Sequence, residues 1–170
     1  LVFRYTVAAG DTAADLAVTG LVLGGATIAD PAGNALNAAG AAANPAGVLQ
    51  VDTTAPTVLS VASTPGSGTL GVGSVVGFTL ATSEAVSVAG GVPVLQLSNG
   101  AIASYDAAAS TATTLVFRYT VAAGDTAADL AVTGLVLGDA TIADPAGNAL
   151  NAAGAAANPA MDEMLMMLAA

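Results

Sequence analysis

The first 46 residues, Leu1 to Ala46, return as Leu115 to Ala160 with a single change, Gly25 becoming Asp139. Near-identity at an offset of 114 residues implies duplication within a longer array, and it fixes the phase of the repeat along the chain. The chain is therefore expected to start in mid-repeat. Residues 1–52 read as the C-terminal half of one unit, residues 53–160 as a nearly complete unit lacking its closing strand, and residues 161–170 as a Met-rich tail outside the repeat. By the period, a copy of Gly47–Pro56 (GVLQVDTTAP) belongs after Ala160, where the chain instead reads MDEMLMMLAA.

Turn residues divide the complete unit into short segments of strand character. Thr57–Ser63 runs from the linker proline to the turn Pro65-Gly66-Ser67-Gly68. Ser74–Val88 is long enough for two strands with a break near Glu84, and Val94–Leu97 lies between Pro93 and the turn Ser98-Asn99-Gly100. Ile102–Tyr105 and Thr114–Val121 face each other across the loop 106–113, and Leu130–Leu137 and Gly47–Val51 complete the set. In Thr114–Val121 the alternation is clean: Leu115, Phe117, Tyr119 and Val121 share one face, with Val116, Arg118 and Thr120 opposite. Seven or so strands in about 110 residues predict an all-β fold of immunoglobulin-like β-sandwich repeats in tandem. Between strands, Gly124–Leu130 is expected to form a one-turn helix with Asp125 as its N-cap.

Composition narrows the chemistry. The sequence is 55% hydrophobic but only 4% aromatic, so the core must be built from Val, Leu and Ala in thin, closely packed sheets. Mean hydropathy is high at +0.76, yet Gly, Thr, Asn and Asp interrupt every apolar stretch before it reaches the length of a membrane span. Any signal peptide is expected to lie outside this sequence. Arg4 and Arg118 are the sole cations against a net charge of -10, which repels a nucleic-acid backbone. With neither Cys nor His, thiol nucleophiles, disulfides and the usual general base are excluded, and most catalytic constellations with them.

A run of landmarks resembles the Ig-like repeats arrayed in very large bacterial surface and adhesin proteins. They are the linker Asp52-Thr53-Thr54-Ala55-Pro56, then Ser83-Glu84-Ala85-Val86, Val92–Leu97, Leu115–Val121, Ala123-Gly124-Asp125, Asp129-Leu130 and Asp144-Pro145-Ala146-Gly147-Asn148. The resemblance covers everything but the last ten residues, and the chain departs from it in its richness in Ala. It implies a secreted, rod-forming spacer at the bacterial cell surface, without catalysis, whose partners are neighbouring repeats or other copies of the chain.

Calcium is the cofactor to consider, because a hard cation needs several oxygens and Asp52, Glu84, Asp144 and Asn148 offer them near a junction between repeats. Solvated turn aspartates are the competing reading. Asp125 and Asp129 form the closest carboxylate pair, which capping explains better than glycoside hydrolysis. Arg118 is expected to pair with a carboxylate on the solvent face. Tyr105 and Tyr119 suit either a sugar platform or a core with a satisfied hydroxyl.

Residues 1–51 should expose apolar faces and open edges unless completed by other protein. Hence the runner-up to the spacer: a subunit of a self-assembling extracellular filament joined by strand exchange. A carbohydrate-binding module is third.

Overall fold

The computed structural model describes residues 1–157, which fall into two units, Leu1–Thr54 and the residues from Ala55 onward. The Met-rich tail Met161–Ala170 lies outside the described residues. The second unit is all-β. Its strands are β1 (Val58–Thr64), β2 (Val75–Thr82), β3 (Ser87–Ala89), β4 (Val94–Leu97), β5 (Ile102–Tyr105), β6 (Thr114–Thr120), β7 (Val132–Val136) and β8 (Thr141–Ala143). Six of them form one curled antiparallel sheet in the order β1-β2-β6-β5-β4-β7, and β3 pairs with β8 in a second, two-stranded sheet.

Alternation along the strands makes the core. In β2, Val76, Phe78, Leu80 and Thr82 turn inward, and in β6 Leu115, Phe117 and Tyr119 do the same. The register sets Phe78 opposite Phe117 and Leu80 opposite Leu115, so the bulkiest side chains stack at the centre of the β2/β6 pair. Leu95, Leu97, Val132, Ile142 and Ala155 close the same cluster from the far side.

The two edge strands are tied by one segment. Asn151 bridges Thr57 in parallel, next to the start of β1, through a bond from its backbone N–H to the Pro56 carbonyl at 2.8 Å. Ala157 bridges Val132 at the start of β7, with bonds of 2.9 and 3.0 Å. Between them Ala152–Ala155 form a 3-10 turn whose first N–H groups include Ala153, which donates to the Asn151 side chain. Gly154 is required there, because a Cβ at that position would lie 2.6 Å from the Val58 carbonyl oxygen.

Three local expectations are corrected. Gly124–Leu130 is a series of turns and bends with no helix. The Asp125 carboxylate accepts from the Ala122 N–H behind it, 2.7 Å away, so it stabilises a turn closed by Gly124 at φ +92° and caps nothing ahead. Strand β8 falls in none of the expected strand segments, because its three residues run directly into the Asp144–Asn148 loop. Gly47–Val51 is not a continuous strand in the first unit: only Val51 bridges, to Ala13.

The first unit carries the same sequence as the back half of the second but has no strand of its own, only the bridges Ala13 to Val51, Val18 to Ala43 and Ala29 to Ala35. Its turns nevertheless match. Asp30 and Asn34 reproduce the bonds of Asp144 and Asn148, and Leu36 bonds Ile28 as Leu150 bonds Ile142, at 2.8 and 2.9 Å. Its apolar residues stay open: Phe3 is 73% exposed, whereas its counterpart Phe117 is 0% exposed. The difference is the missing partner strands, since β6 in the second unit is flanked by β2 and β5.

Candidate functional site

Four residues were nominated as oxygen ligands. In the second unit, Glu84 sits in the break between β2 and β3, half-buried, and the Thr82 hydroxyl donates to its backbone carbonyl at 2.7 Å. Asp144 follows β8 and is buried. Its Oδ1 accepts from the Asn148 N–H at 2.8 Å and its Oδ2 from the Asn148 amide at 2.7 Å, so Asp144 and Asn148 form one locked turn. Burial opposes ionisation of Asp144. The bonds from the Asn148 side chain and from the backbone N–H groups of Asn148, Gly147 and Ala146 outweigh it and hold the carboxyl below the usual carboxylate range.

Carboxylate oxygens of Glu84 and Asp144 lie within 4.8 Å of each other. Two oxygens each about 2.4 Å from a shared calcium ion are at most about 4.8 Å apart, so this spacing permits a shared ion. Asp52 belongs to the first unit, where its Oδ1 accepts from the Thr54 N–H at 2.9 Å.

The other candidates have structural roles. Arg118 pairs with Asp106 across the outer face of the sheet, as expected of it, and the guanidinium draws the Asp106 carboxyl below its ordinary range. With the Arg118 side chain 55% exposed, such a pair contributes little to stability. Tyr119 points into the core and its hydroxyl donates to Asp125 at 2.6 Å while accepting from the Asn99 amide at 3.1 Å. Burial, then the bond to Asp125, raises the Tyr119 pKa, and the same bond together with that from Ala122 lowers that of Asp125. Tyr105 packs its ring against Phe117 with centroids 5.5 Å apart. The two tyrosines thus serve the core and do not make a flat exposed platform. Asp129 presents its backbone carbonyl to the Ser98 hydroxyl at 3.1 Å.

Sequence reading missed a cleft of about 770 Å³ at the Thr64 end of β1. Pro65–Leu70 form one wall and Asp125–Leu130 the other, over a floor that includes Val76, Phe78 and Tyr119.

No protein-family profile, curated protein or solved structure matches the chain. Among the described residues no helix is long and apolar enough to cross a membrane.

Proposed function

We propose that this chain is part of a structural spacer, an array of immunoglobulin-like repeats that holds other modules away from a bacterial cell surface, with no catalytic role. The observation that carries this reading is the 46-residue repetition at an offset of 114, whose turns recur bond for bond in both copies. A rod needs many equivalent units that each bury their own core and meet neighbours of the same kind. The sheet of the second unit, tied at both edges by Asn151–Ala157, fits such a unit.

Calcium is part of the proposal as the ion that stiffens the repeat. Glu84 and Asp144 support it with their spacing, and Asn148 adds an amide oxygen.

The test is dimensional. Proteins carrying two, three and four copies of the 114-residue unit are compared by small-angle scattering. A spacer predicts a maximum dimension that grows by a constant step per unit. Compact growth, with the dimension rising only as the cube root of mass, overturns it.

A further inference from the structure

The chain has one Asn-Gly pair, Asn99-Gly100, and its other six asparagines are each followed by Ala or Pro. Where Gly follows Asn, no side chain shields the next backbone nitrogen, which is then free to approach the asparagine Cγ. The turn between β4 and β5 demands this pair. Gly100 takes φ +81°, a conformation that other residues rarely adopt. Asn99 is chosen by its contacts: its Oδ1 accepts from the Ala101 N–H at 3.1 Å, and its Nδ2 donates to the Tyr119 hydroxyl at 3.1 Å.

We propose that Asn99-Gly100 is a site of spontaneous deamidation, held shut by the Tyr119 hydroxyl and the β4–β5 turn, and that conversion there weakens the second unit. The inference goes beyond the spacer reading and does not rest on it. In the reaction the Gly100 nitrogen gives its proton to solvent base and bonds to Asn99 Cγ, and the bond from Cγ to Nδ2 breaks. Ammonia leaves and a succinimide ring remains. Water then opens the ring at one of its two carbonyls, giving aspartate or isoaspartate, with no change of oxidation state. Asn99 and Tyr119 both line the cleft, which admits that water.

Three bonds oppose the first step in the folded chain. The two on the Asn99 side chain fix its carbonyl away from the attacking nitrogen, and the Gly100 N–H is itself donated to the Leu97 carbonyl at 3.0 Å. Attack requires the turn to open locally, with all three released.

The product cannot restore them. The Tyr119 hydroxyl spends its one hydrogen on Asp125, 2.6 Å away, and the oxygen relies on the Asn99 amide for a donor. A carboxylate at 99 has no hydrogen to give and sets a second negative charge beside Asp125. Isoaspartate adds a backbone carbon inside the turn as well, where Leu97 and Ala101 are joined by a bond of 3.0 Å.

The experiment incubates the full chain in mildly alkaline buffer, native and in denaturant, and follows each asparagine by peptide mapping with mass spectrometry and isoaspartate chromatography. In denaturant, Asn99 is expected to convert at least ten-fold faster than Asn148, and in the native chain at least ten-fold slower than in denaturant. Tyr119→Phe is expected to speed native conversion about ten-fold, the equivalent of one hydrogen bond. Phe117→Ala, which weakens the core without touching the Asn99 bonds, is expected to speed it less. Should Tyr119→Phe fail to fold, the ratio of native to denatured rates in the unaltered chain decides. Asn99→Asp reproduces one product and is expected to lower the melting temperature at neutral pH by about 5 °C. Conversion at Asn99 no faster than at Asn148 in denaturant overturns the site. Equal native and denatured rates, or a larger acceleration from Phe117→Ala than from Tyr119→Phe, overturns the gate, and an Asn99→Asp chain that melts with the unaltered one overturns the consequence.

Discussion

The hydroxyl of Tyr119 donates to the carboxylate of Asp125, and 114 residues earlier Tyr5 makes the same bond to Asp11. In the second unit the tyrosine ring is in the core, whereas Tyr5 is 56% exposed. A contact six residues apart in sequence thus forms with or without the sheet around it. The bond is local, but its contribution depends on burial.

Replacing Tyr119 by Phe removes a buried donor that serves Asp125 and an acceptor that serves Asn99. Unfolding in denaturant should show a loss of about 1–2 kcal/mol for the second unit. Tyr5→Phe, where the bond to Asp11 is exposed, should leave the transition of the second unit unmoved.

Acid should destabilise the second unit. The carboxyls of Asp106, Asp125 and Asp144 are all held below the usual carboxylate range, by Arg118, by Tyr119 and by the Asn148 turn against burial. A group with a depressed folded pKa binds protons more readily when unfolded. Its stabilisation is full above the unfolded pKa and is lost as pH falls through the folded one. Melting temperature should therefore be flat from neutral pH down to about 5 and fall steeply below about 4. A curve with its loss centred above pH 5 would contradict this assignment, because no His is present to titrate there.

One residue type tests the two halves against each other. Phe117→Ala opens a cavity beside Phe78 and Tyr105 and should cost about 3–5 kcal/mol. Phe3→Ala, at the equivalent position, removes a ring that is 73% exposed and should change stability by no more than about 0.5 kcal/mol. Chemical denaturation of the two variants side by side gives the comparison.

Millimolar calcium should raise the melting temperature by about 5 °C, with chelator reversing it. Glu84→Gln should abolish the rise while leaving the calcium-free melting temperature within about 2 °C, since the substitution keeps the shape of the side chain. Asp144→Asn is a poorer probe, because it also weakens the turn with Asn148. A calcium response that survives in Glu84→Gln would remove this residue from the site.

Strands bounded by strong turn residues were legible: Val94–Leu97 and Ile102–Tyr105 are found with the bounds expected, because Pro93 and Ser98-Asn99-Gly100 punctuate them. The break near Glu84 and the pairing of Arg118 were legible for the same local reasons. What the sequence hid was context. Asp125 reads as a cap because a capping carboxylate and a turn carboxylate look alike until the direction of the bond is seen. β8 has three residues, too few for alternation to register. Residues 1–7 and 115–121 are identical, and only the second copy is sheet, so strand formation there is a property of the neighbours β2 and β5.

The recurrence of the turns without the sheet bears on the order in which such a chain acquires its shape. Corners set by Asp144 and Asn148, or by Asp30 and Asn34, close over four residues and need nothing distant. The pairing of β1 with β2 and of β2 with β6 spans far more chain and must wait for it. As the polypeptide leaves the ribosome, each copy of the 46-residue segment can therefore hold its bends in advance, like a creased sheet awaiting the fold. Which of the two copies becomes sheet is decided later, by the strands available beside it, since the creases are the same.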